Sequence, residues 1–122
     1  MASHLMGSLV RGVQASGMVA RVSNINIPVY RVYGGGAGRF GNFYSPINPR
    51  FYGSTYRNFA GLPNNNSGAF LLRGSVRLGD INRLGFARPA HGNFGRLVPE
   101  LEIHNSWSKV IWSPKNVSRV NF

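Results

Sequence analysis

Cysteine is absent from this chain of 122 residues, acidic residues number three, and lysine occurs only at Lys109 and Lys115. Without cysteine there is no disulfide framework and no thiolate metal site. No apolar run approaches the roughly 20 residues of a membrane-spanning helix, so the chain is expected to be soluble. The shortage of acids is the sharpest limit. Chemistry that needs a carboxylate must draw on Asp80, Glu100 or Glu102.

What is present is basic, aromatic and rich in glycine. Lys plus Arg total 14, for a formal net charge of +11, beside 16 Gly, 7 Pro, 8 Phe, 5 Tyr and 2 Trp. A hydrophobic fraction of 43 % with so many aromatics argues against disorder, and the length predicts one domain with a single core. Nearly every positive charge is arginine, whose planar fork binds phosphate or carboxylate bidentately. Nucleic acid, a phosphorylated cofactor or an acidic protein fit that surface as partners. A solvated basic face explains the charge alone equally well.

Residues 1–8 read as a cloning scar, which sets His4 aside, and 9–27 as a linker or N-terminal arm. From Pro28 the pattern turns to β. Val29–Tyr33 is β-branched and aromatic and stops at Gly34-Gly35-Gly36, with Val29, Arg31 and Tyr33 on one face and Tyr30 and Val32 on the other. A second β segment is expected over Phe40–Ser45, after which Pro46 and Pro49 exclude regular structure. Ser54–Ala60, closed by Gly61 and Pro63, predicts a short helix. Ala69–Leu78 reads as a strand, and 79–96 as a long irregular connection, functional or mobile. Three closing strands are expected at Leu97–His104, Lys109–Ser113 and Val117–Phe122, with turns at Asn105-Ser106 and at 114–116. The class is α+β with β dominant.

Several groups of residues could carry chemistry. Glu100 and Glu102, two apart on a strand, leave the same face; an edge strand with two surface glutamates is the plain alternative, weakened by how few acids the chain has. Arg31 in mid-strand is either solvent-facing or a rigidly held anion ligand. Gly34-Gly35-Gly36 matches neither a P-loop nor a dinucleotide fingerprint and reads as a flexible turn. His91 and His104, with nearby Arg or Lys, could serve as acid and base in metal-independent RNA cleavage, although both also fit ordinary solvated or structural positions. With so few acids a metal site is not expected, and no Gly-x-Ser-x-Gly elbow supports a serine nucleophile.

The ordered string Pro28-Val-Tyr-Arg-Val-Tyr-Gly-Gly, Phe43-Tyr-Ser-Pro46, Tyr56-Arg-Asn-Phe-Ala-Gly-Leu-Pro63 and Pro99-Glu100 resembles one family. It is similar to the TreTu-like ADP-ribosyltransferase toxin domains of Rhs-type polymorphic effectors, from about Pro28 to Phe122. The resemblance implies a split β-sandwich of short antiparallel strands with few short helices. It implies NAD as co-substrate, no metal, and transfer of ADP-ribose to an arginine of a target protein, with elongation factor Tu the expected target. The family's Arg–Ser–Glu set falls on Arg31, Ser45 and Glu100. Arg31 would grip the phosphates or adjoining ribose, Ser45 would brace the nicotinamide pocket, and Tyr44 or a neighbour would stack on it. Tyr30 and Gly34, beside Arg31, are assigned to the cofactor site in the same way. Glu100-Leu101-Glu102 fits a Glu-x-Glu spacing, so either glutamate could face the nicotinamide ribose, with Pro99-Glu100 favouring Glu100. The remaining implications are a monomeric effector domain delivered into the cytoplasm of a target bacterium and blocked by an immunity protein, for which +11 predicts an acidic surface. The long 79–96 connection could close over the cofactor or dock the target. The other readings are a ribonuclease using His91 and His104, an NAD glycohydrolase, and a basic module that binds RNA or an acidic partner.

Overall fold

The computed structural model describes residues 24–122, so the expected cloning scar at 1–8 and most of the expected linker or arm at 9–27 lie outside the described residues, while Asn26 and Ile27 of that arm belong to the first strand. In chain order the elements are β1 (Asn26–Gly35), β2 (Phe43–Tyr44), a 3-10 stretch (Pro49–Thr55) running into α1 (Tyr56–Phe59), and β3 (Asn66–Arg77). A 3-10 turn (Leu78–Asp80), β4 (Arg83–Phe86), β5 (Pro99–Glu102), α2 (Ser106–Lys109) and β6 (Ile111–Arg119) complete the chain. The strands form two antiparallel sheets, ordered β1-β3-β6 and β2-β5-β4. With only short helices beside them, the arrangement is compatible with an α+β fold. Among the described residues no helix is long and apolar enough to cross a membrane.

The β-branched and aromatic run of β1 keeps one register with β3 from Asn26↔Arg77 to Tyr33↔Phe70. β3 is central and β6 lies at the edge. Gly74 lets that edge come close, because a Cβ there would stand 2.8 Å from the Ile111 carbonyl oxygen. The backbones of the two sheets meet beside Tyr30. Tyr30 and Ser45 exchange two backbone hydrogen bonds, each 2.8 Å, so β2 and its sheet hang from the free edge of β1.

Two buried clusters replace the single core expected from the length. Val29 is buried with Tyr44, Val76, Leu101, Ile103 and Val110. Val32 is buried with Tyr56, Leu62, Leu71, Ala87 and Val98. Val29 and Val32 point to opposite faces of β1, so that sheet is covered on both sides, which is why the strand reads apolar on both faces.

Local differences from the sequence reading have identifiable causes. Pro49 does not exclude structure; it opens the 3-10 stretch at a position that needs no N–H, behind an Asn48 side chain that accepts from the Arg50 amide. The helix expected over 54–60 is α-helical only at Tyr56–Phe59, and it ends as expected, with Gly61 in the left-handed region. The 79–96 connection contains β4, paired residue for residue with β5. Asn105-Ser106 opens the helix α2 rather than forming a simple turn. The last two expected strands are one, β6, whose ladder to β3 skips from Val117 to Trp112.

Candidate active site

Where the second sheet hangs from β1, a cleft of about 360 Å³ opens between the two sheets and the segment that leads out of α1. Of the residues singled out in the sequence, Tyr30, Arg31, Tyr44, Ser45 and Glu100 all line it. Glu102 and Gly34 do not. The string of motifs therefore converges in space on one concavity, although its members span some 70 residues of sequence.

Arg31 is the framework of this cleft. Its Nε and one terminal nitrogen donate to the Gly38 carbonyl at 3.1 and 3.0 Å, and the other terminal nitrogen donates to the Phe43 carbonyl at 3.1 Å. The guanidinium thus ties the loop between β1 and β2 to β1. Gly41 makes room for it, because a Cβ there would lie 2.5 Å from the Arg31 Cζ. Burial pulls the Arg31 pKa down, against the opposing influence of Tyr44, Tyr56 and Glu100.

Ser45 is buried and its hydroxyl is occupied locally, donating to the Ile47 carbonyl at 2.9 Å and accepting from the Ile47 amide at 3.1 Å. It braces the turn through Pro46 that forms one wall. Tyr44 belongs mainly to the core: only 2 % of it is exposed, and its hydroxyl donates to Ser106 Oγ at 2.9 Å. Ser106 in turn donates to the Gly41 carbonyl at 2.7 Å, which fixes the loop that Arg31 also holds. Gly34 lies beyond the cleft. Its φ of 136° and the 2.1 Å that would separate a Cβ from Ser67 Oγ make it a glycine required by the turn that closes on Ala37.

β5 presents the two glutamates. Leu101 between them is buried in the core, so Glu100 and Glu102 both face outward, as the alternation predicts. Across the ladder Glu100 faces Gly85, and Glu102 is flanked by Phe43 and Arg83. A Cβ on Gly85 would meet nothing within 4 Å, which leaves Glu100 open on that side. Glu102 is committed to His104, whose Nε2 lies 2.5 Å from its Oε2. Among the described residues Glu100 forms no such pair. Burial first, and the neighbouring Glu102 charge after it, push its carboxyl above the ordinary value, while Arg88, Arg83 and Arg31 pull the other way.

Two residues of the cleft were not singled out by the sequence reading. Tyr56, in the first turn of α1, is buried among Tyr52 and Phe122 and lines the cleft. Burial, then the Glu100 charge, raise its hydroxyl pKa, so it stays a neutral donor. The Tyr-Arg-Asn-Phe motif drew attention to its neighbourhood without distinguishing its side chain. Arg88 also lines the cleft, and nothing in its local sequence separates it from the other arginines.

His91 and His104 are not brought into this site. His91 Nδ1 accepts from the Asn64 amide at 3.0 Å, and the His104 amide donates to Asn82 Oδ1 at 2.8 Å. Among the described residues no group of three or more His, Asp or Glu side chains could hold a metal ion. Comparison of the chain with protein-family profiles, curated proteins and solved structures finds no match.

Proposed function

We propose that the cleft binds NAD and that the chain is a mono-ADP-ribosyltransferase toxin domain, its two sheets forming a split β-sandwich of that type. The observation that carries this reading is Glu100, a partly buried carboxylate without an ion-pair partner among the described residues, held on a strand that lines the cleft and raised in pKa by burial. Cleavage of the bond between the ribose C1′ and the nicotinamide nitrogen sends the bonding electron pair to nicotinamide. Positive charge then builds at C1′ and the ring oxygen, chemistry akin to glycoside cleavage. A fixed carboxylate stabilises that charge where it develops, without reorganisation. A nitrogen of the acceptor side chain then bonds to C1′ and gives up its proton; Glu102, on the same face of β5, is the nearest carboxylate on that strand to receive it. Arg31 and Ser45 contribute by holding the wall in place.

The acceptor is an arginine of a bacterial target protein, elongation factor Tu in the leading version, whose modification blocks translation. The domain then acts as a secreted effector in the target cell's cytoplasm, and its producer carries an acidic immunity protein. These particulars rest on the motif resemblance. Labelled NAD incubated with bacterial lysate should label a protein band, and Glu100→Gln should lower that labelling by about 10²–10³-fold. Free ADP-ribose without a labelled protein would instead mark a glycohydrolase. Intact NAD together with degraded RNA would move the activity to the ribonuclease reading.

A further inference from the structure

We propose that Arg88, rather than Arg31, makes the side-chain contact to the phosphate groups of a dinucleotide in this cleft. The inference rests on the NAD reading for the identity of the ligand but on separate observations for the residue. Among the described residues, only Arg31 and Arg88 bring positive side chains to the cleft lining. Arg31 commits three of its five N–H groups to the carbonyls of Gly38 and Phe43, so turning it toward a ligand would release the loop it ties down. Arg88 is exposed at the same cleft and is engaged in no ion pair or hydrogen bond among the described residues. It also borders the smaller notch beside Glu100 and Glu102, and its charge is the leading one acting on the Glu100 carboxyl.

The backbone beneath Arg88 is fixed, which is what an anion ligand needs to bind without an ordering penalty. Gly61 and Gly95 close on its carbonyl from two sides: a Cβ on Gly61 would lie 1.8 Å from the Arg88 oxygen, and one on Gly95 2.7 Å from it. Both glycines sit at positive φ, 59° and 67°. The flanking residues are tied as well. Ala87 donates to Val98 at 2.9 Å, Arg96 to Ala87 at 2.6 Å, and Gly95 to the Asn58 carbonyl of α1 at 2.7 Å. A guanidinium with free donors on a pinned backbone is suited to paired, charge-assisted hydrogen bonds to phosphate oxygens.

Calorimetric titration of the folded chain with ADP-ribose and, separately, with inorganic pyrophosphate tests this. Wild type is compared with Arg88→Gln, Arg88→Lys and, as a control at an exposed arginine outside the cleft lining, Arg73→Gln. Loss of a charge-assisted contact should weaken both ligands on the order of 10- to 100-fold in Arg88→Gln, with partial recovery in Arg88→Lys and none of the loss in Arg73→Gln. Equal affinity of Arg88→Gln and wild type overturns the proposal. Pyrophosphate binding that depends on Arg88, with no binding of ADP-ribose, keeps the anion site and overturns the NAD reading. Failure of wild type to bind either ligand overturns both.

Discussion

Glu100 shows at a single position how function and stability oppose one another. A carboxyl whose folded pKa lies above its unfolded value holds its proton more tightly in the folded state. Its ionisation therefore costs stability above the folded pKa, and the cost disappears as pH falls below the unfolded value. Burial gives Glu100 that direction of shift, so Glu100→Gln should raise Tm by a few degrees at about pH 7.5 and by much less at about pH 4, while lowering NAD cleavage by about 10²–10³-fold. Thermal melts at the two pH values check the sign. The acid limb of wild-type activity should correspondingly fall above the ordinary glutamate range. At Tyr44 and Ser106 the asymmetry of hydrogen bonding can be read directly. Tyr44→Phe removes one donor and leaves Ser106 still bonded to Gly41, for a cost of about 1 kcal/mol. Ser106→Ala leaves both the buried tyrosine hydroxyl and the Gly41 carbonyl without that partner, and should cost about 2–3 kcal/mol by urea denaturation.

At the scale of elements, the 87–97 segment is the part least like its sequence. Gly92, Gly95, Pro89 and Asn93 describe a loop, part of the 79–96 connection whose length reads as functional or mobile. In the structure it is fastened to α1 and to the residue before β5. The Phe94 amide donates to Asn58 Oδ1 at 2.6 Å, and Asn93 Nδ2 to the Leu62 carbonyl at 2.8 Å. Those partners lie some 30 residues away, so no local pattern announces them. Gly61→Ala tests the attachment. The new methyl would collide with the Arg88 carbonyl at a position already in the left-handed region, for a cost of at least about 2 kcal/mol. Loss of affinity for ADP-ribose should accompany it even in conditions where the variant remains folded by circular dichroism. β5 illustrates the opposite case. Its alternation set Glu100 and Glu102 against Leu101 correctly, because a strand's side-chain period is a local property of the backbone.

For the whole molecule, the unexpected feature is a pair of buried clusters on the two faces of β1 in so short a chain. Leu71 is fully buried in one and Ile103 in the other, and they share no cluster partner. Leu71→Ala should cost about 2–5 kcal/mol and Ile103→Val about 0.5–1.5 kcal/mol. Their combination should add to within about 0.5 kcal/mol in chemical denaturation, and a larger coupling would mean that β1 transmits strain between the clusters. The sequence by itself determined the charge, the choice of only three carboxylates, the β segments at 29–33 and 69–77, the stop at Gly61 and the shared face of the two glutamates. Each of these follows from composition or from backbone periodicity over a few residues. Tertiary structure alone decided that Tyr30 pairs with Ser45, that Arg31 ties down backbone carbonyls, and that Arg88 stands exposed beside Glu100. Those outcomes depend on which strand edges meet and which carbonyls lack partners once they do. Long-range pairing sets both, and composition and local periodicity do not record it.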